Sequence, residues 1–72
     1  MNIRKDLITA EVEALRLACN FTPEEREVFD LLTRNNSVVQ ITLATNASQR
    51  TTERRIQDVK RKVARVWRII GA

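Results

Sequence analysis

Arg50, Arg54, Gln57, Arg61, Arg65 and Arg68 recur at intervals of three and four residues, a spacing that gathers them into one narrow stripe on a helix. The chemistry open to such a stripe is recognition of a polyanion. Arg can fork two hydrogen bonds onto guanine and Gln can do the same on adenine, while further cations pair with phosphates and release their counterions. Arg55, Asp58 and Lys62 flank the stripe. On the opposite side of the same helix stand Thr52, Ile56, Val59, Val63, Val66, Trp67 and Ile70. The segment therefore has a basic face and a core face, well separated, and at ~1.5 Å per residue it is more than ~30 Å long.

Other chemistries are poorly supplied. The chain has no His, no Tyr, one Cys and one Gly. Neither a nucleophile with its base, nor a metal-ligand cluster, nor a glycine-rich phosphate loop can be assembled from its motifs. No catalytic residue, metal or cofactor is expected. The acidic run Glu24, Glu25 and Glu27 is explained by its place at a helix start, where carboxylates oppose the positive end of the dipole.

Charge placement singles out the same segment. The 72 residues carry a formal net charge of +4. Residues 1–48 hold five basic and seven acidic side chains, and residues 49–72 hold eight basic ones against Glu53 and Asp58. A basic segment on a near-neutral body is the footprint of a polyanion binder. A solvated surface helix is the competing reading of these charges.

The elements that must position the stripe are all helical. Apolar residues make up 43% of the chain and recur at helical spacing. A first amphipathic helix is expected over 3–19, with Ile3, Leu7, Ala10, Ala14, Leu17 and Ala18 on one face and Ile8, Val12, Leu15 and Cys19 widening it. Thr22-Pro23-Glu24-Glu25 is a helix start, with Thr22 as cap, Pro23 at the first helical position and Glu25 closing a capping box. This helix should bury Val28, Phe29, Leu31 and Leu32 and stop at Asn35-Asn36. Ser37 and Gln40 form a second capping box, opening a short helix that carries Val38, Ile41 and Ala44. Asn46 is the turn residue, since Asn tolerates positive φ. Ser48 then caps the long helix, which runs to about Ile70 and stops at Gly71. The expectation is an all-α, single-domain chain over 1–72: a four-helix helix-turn-helix domain, with 3–19 as an N-terminal packing helix and 22–70 as a core that ends in a long recognition helix.

In such an arrangement the N-terminal half of the last helix lies deepest in the major groove of double-stranded DNA. Gln49, Arg50, Glu53, Arg54 and Gln57 are the base or near-base positions, and Ser48, Thr51, Arg55, Asp58, Arg61 and Lys62 the backbone or flanking ones. Asp58 with Lys62, and Glu53 with Gln57, are also ordinary i, i+4 neighbours.

Residues 21–63 resemble the LuxR/GerE-type helix-turn-helix domain. Thr22-Pro23-Glu24-Glu25-Arg26-Glu27-Val28 matches its Thr-Pro-x-Glu-x-Glu-Val opening, Ile41 its apolar scaffold position, Ser48-Gln49-Arg50-Thr51 the start of its recognition helix, and Ile56, Val59 and Val63 its core positions. The register needs no gap. The resemblance implies a DNA-binding transcription regulator with contact positions at Thr51, Glu53, Arg54, Arg55, Gln57 and Asp58. The chain departs from the family at four of the matched sites: Glu53 replaces a common Lys, Thr45 a Leu, Asn46 the turn Gly, and Thr52 a core Val. Glu53 can accept from cytosine. The family also adds a helix after the recognition helix, whereas here the additional helix precedes the core. The plan is similar to the −35-reading region of sigma factors as well, which implies RNA polymerase as a partner.

Val63, Val66, Trp67 and Ile70 extend the apolar face beyond the family's pattern and are expected to serve packing or dimerisation, so a homodimer is anticipated. The rival function is a protein-interaction module that docks through these four residues. No apolar run approaches the ~20 residues of a membrane span, and the opening MNIRKDLITAEVEAL, with acids inside its apolar stretch, does not read as a signal peptide. Together with the lone Cys19, this makes a cytoplasmic location with a reduced thiol the expectation.

Overall fold

The computed structural model describes the backbone of residues 9–70 and the side chains of residues 10–68. Among them are four helices and no strand: α1 (Thr9–Ala18), α2 (Pro23–Thr33), α3 (Val38–Thr45) and α4 (Gln49–Ile70). The chain is all-α, with the extra N-terminal helix and the long last helix in the expected order. The expected start of the first helix at Ile3, its apolar residues Leu7 and Ile8, the Gly71 stop and the side chain of Ile70 lie outside the described residues.

Side chains close to each terminus set most of the helix ends. Thr22 Oγ1 accepts from Glu25 N at 3.2 Å while Glu25 Oε1 accepts from Thr22 N at 3.0 Å, with Pro23 in the first turn. Ser37 and Gln40 repeat the device on α3, at 3.2 and 2.7 Å. Three asparagines take up left-handed backbone between helices: Asn20 (φ 53°), Asn35 (φ 66°) and Asn46 (φ 56°). The short polar side chain lets Asn occupy this region more readily than other residues with a Cβ. Asn20 is a stop for α1 beyond those expected from the sequence; it stands two residues before the Thr22 cap, so the two helix-boundary signals overlap.

α4 is the long axis of the molecule. Its 22 residues span about 33 Å, which equals the greatest extent of the fold, 33 × 19 × 18 Å. The other three helices all pack against it. The core consists of Leu15 and Cys19 from the end of α1, Phe21 from the linker, Val28, Phe29 and Leu32 of α2, Ile41 of α3, and Ile56, Val59 and Val63 of α4. Phe21 and Phe29 meet with ring centroids 5.0 Å apart, tilted by 36°. Full burial of an aliphatic side chain such as Leu15 contributes about 1.5–3 kcal/mol. Thr52, where the resembled family carries Val, is fully buried, and its hydroxyl is satisfied by donating to Ser48 O at 3.0 Å.

Two helices present different faces from those expected. In α1 it is Val12, Leu15 and Cys19 that turn inward, whereas Ala10, Ala14 and Ala18 are exposed and Leu17 is 85% exposed. The alanines carried the apparent periodicity, yet each has little apolar surface with which to decide the face. In α3 only Ile41 is buried; Val38 and Ala44 are exposed, as are Val39 and Leu43. Eight residues packed along one line leave most of that helix in solvent. An ion pair absent from the sequence expectations joins α1 to α2: Arg16 Nη2 and Nε donate to Asp30 Oδ1 at 2.9 and 3.1 Å.

Candidate nucleic-acid interface

The entry to α4 is built by short hydroxyl and amide contacts. Thr45 Oγ1 donates to Ile41 O at 2.8 Å, Asn46 reverses the backbone, and Ser48 Oγ accepts from Thr51 N at 3.1 Å as the cap. The Ser48 hydroxyl in turn donates to Thr51 Oγ1 at 2.9 Å. Ser48 is therefore engaged in starting the helix, and Thr51 shares that network. α3, this turn and α4 form a helix-turn-helix in the geometric sense.

From the turn onward the two faces of α4 separate as the spacing predicts. Ile56, Val59 and Val63 are buried. Arg50, Arg54, Gln57, Arg61, Arg65 and Arg68 are all exposed, as are Gln49 and Glu53. Arg55 and Asp58 are half-buried at the edges. The i, i+4 pairings foreseen for the flanks are replaced by others. Asp58 pairs with Arg61 at 3.3 Å, and Gln49 Nε2 donates to Glu53 Oε1 at 3.0 Å. Towards the C-terminal end, Arg61, Arg65 and Arg68 surround Ala64 in a shallow open concavity of about 590 Å³.

Lys62 stands apart from the stripe. Its ammonium donates to Glu25 Oε1, and the two side chains are only 26% and 11% exposed. The structure thus engages Lys62 on the body of the domain, whereas the sequence placed it among the flanking DNA contacts. Burial pushes the Glu25 carboxyl upward in pKa, but hydrogen bonds from Lys62 and from Thr22 N–H, with the Lys62 charge, outweigh it and hold the group below its ordinary value. Beside this pair, Cys19 Sγ lies 3.7 Å from Lys62 O as a weak donor. Burial raises the Cys19 thiol pKa, with Lys62 and Arg65 opposing. The end of α1, the start of α2 and the middle of α4 therefore meet at one junction, which fixes how α4 is carried. Glu25 was recognised from sequence only as a capping residue; its second partner lies too far along the chain for local spacing to reveal.

The extended apolar end of α4 is largely used within the chain. Val63 is fully buried, and Val66 and Trp67 are half-buried against the core beside α1. Among the described residues no three His, Cys, Asp or Glu side chains group as a metal site, and no helix is long and apolar enough to cross a membrane.

Comparison with protein-family models, with curated proteins and with solved structures finds no match to the chain.

Proposed function

We propose that this chain is a sequence-specific double-stranded DNA-binding transcriptional regulator that lays the N-terminal half of α4 in the major groove. One observation carries the reading: α4 starts at a tight turn, buries Thr52, Ile56, Val59 and Val63 on one face, and leaves Arg50, Arg54, Gln57 and Arg61 exposed in line on the other. The major groove is about 12 Å wide and admits one α-helix. With residues 49–57 inside it, Arg65 and Arg68 fall beyond its edge, where phosphates are the available partners. The resemblance of residues 21–63 to LuxR/GerE-type domains supports the same reading.

A domain this small reads few base pairs, so the proposal includes a second copy on the DNA, paired through the half-exposed Val66 and Trp67; two-fold pairing raises affinity and specificity together. Use of the apolar end of α4 as a docking site for another protein, RNA polymerase included, is the rival. Burial of Val63 within the chain speaks against it. Selection of bound duplexes from a random pool tests the proposal. An enriched motif, with mirrored half-sites if the chain pairs, is expected; recovery of an unenriched pool overturns sequence-specific binding.

A further inference from the structure

We infer that Glu53, held in place by Gln49, discriminates bases at the start of α4, accepting a hydrogen bond from the exocyclic amine of cytosine. This rests on the DNA-binding reading above and names a determinant of its specificity. Glu53 and Asp58 are the two acidic residues of α4. They are treated differently by their surroundings. Asp58 is paired with a cation, Arg61, at 3.3 Å. Glu53 is exposed at the edge of the arginine stripe, one turn from Arg50, yet among the described residues it forms an ion pair with neither Arg50 nor Arg54 and is bonded instead to the uncharged Gln49 amide at 3.0 Å. Its negative charge is therefore presented outward, beside a basic face.

Such a carboxylate is unfavourable wherever that face meets phosphate. It becomes favourable where it meets a hydrogen-bond donor, and the donors offered by base edges in the major groove are the amines of cytosine and adenine. Adenine sets its N7 acceptor beside the amine and repels a carboxylate; cytosine has no acceptor there. Gln49 fixes Oε1 and leaves the second carboxylate oxygen for the base. Holding the side chain before binding also reduces the rotamer freedom lost on association. The pair thus acts in two ways. It attracts cytosine at one position, and it weakens contacts of this part of α4 with DNA backbone in the wrong register.

Selection from a random duplex pool with the wild type, Glu53→Ala, Glu53→Gln and Gln49→Ala tests the inference, together with affinity for one random-sequence duplex and a thermal melt of each variant. Glu53 and Gln49 are exposed, so all four proteins should melt alike. The wild type should prefer cytosine at one position. Glu53→Ala should reduce that preference about five-fold or more while binding the random duplex more tightly, because a repelling charge is gone. Glu53→Gln should move the preference towards adenine, and Gln49→Ala should blunt it less than Glu53→Ala does. An unchanged motif, with Glu53→Ala tightening every sequence equally, would overturn the inference and leave DNA binding standing. A wild type that binds no duplex would remove the DNA-binding reading and the inference with it.

Discussion

Glu25 and Lys62 stand 37 positions apart in the chain, and the carboxylate oxygen of one lies 2.5 Å from the ammonium nitrogen of the other. The same oxygen accepts the Thr22 N–H that begins α2. One side chain therefore both starts a helix and ties that helix to the middle of α4. Since α4 carries the exposed arginines, the pair sets their bearing relative to the body.

Removing one partner should have unequal effects. Lys62→Met strands a nearly buried carboxylate with only its Thr22 bond and should destabilise the fold by about 2 kcal/mol, below the range for a wholly buried pair because Lys62 is partly exposed. Glu25→Gln keeps the capping acceptor and frees an ammonium that can reach water, so it should cost about 1 kcal/mol or less. Urea unfolding of the two variants measures the difference; equal losses would mean that the pair contributes through packing alone.

The pH dependence follows from the same group. The folded pKa of Glu25 lies below its ordinary value, so its contribution is fully present above the ordinary carboxylate range and disappears as pH falls through the lower, folded value. Stability measured from neutral pH into acid should fall in that window for the wild type and fall less for Glu25→Gln. Identical acid profiles would show that other carboxylates carry the effect.

Asn46 holds the turn before α4 at φ 56°. Asn46→Gly should be tolerated, and Asn46→Ala should cost about 1 kcal/mol, because a Cβ without a local polar partner is crowded in the left-handed region. Thermal melts of the two variants test this; an Ala variant as stable as the Gly one would place the turn's strain elsewhere.

How much of this could be read beforehand depended on range. The capping boxes Thr22–Glu25 and Ser37–Gln40, and the turn at Asn46, rest on contacts three residues apart or on one residue's own backbone, and they stand where the sequence puts them. The two faces of α4 were equally plain, because β-branched and arginine residues separate cleanly at 100° per residue. The inward face of α1 was misjudged, since Ala10, Ala14 and Ala18 lie on a helical line without having much to bury. Lys62 as partner of Glu25 and Asp30 as partner of Arg16 were hidden, because each is chosen by how helices pack and not by spacing along the chain. Lys62 was drawn towards the basic stripe by its charge and towards Glu25 by the fold.

Cys19 gives a probe of the junction beneath α4. Its thiol is buried, and burial raises its pKa. Alkylation of the native protein near pH 8 should be at least about ten-fold slower than in denaturant. Lys62→Met should speed it by loosening the contact between α1 and α4. Fast native labelling would mean that the end of α1 does not stay seated.

The most direct test is the affinity of the chain for a duplex as salt is raised, measured by fluorescence anisotropy for the wild type, Arg54→Ala and Arg65→Ala. The wild-type affinity should fall steeply, as release of phosphate counterions requires. Arg54→Ala should lose about 1–3 kcal/mol on the selected site and relax one base position, while Arg65→Ala should weaken all sequences alike and lower the salt slope by about one. Absence of binding at low salt, or an affinity indifferent to salt, would contradict the assignment of α4 to DNA.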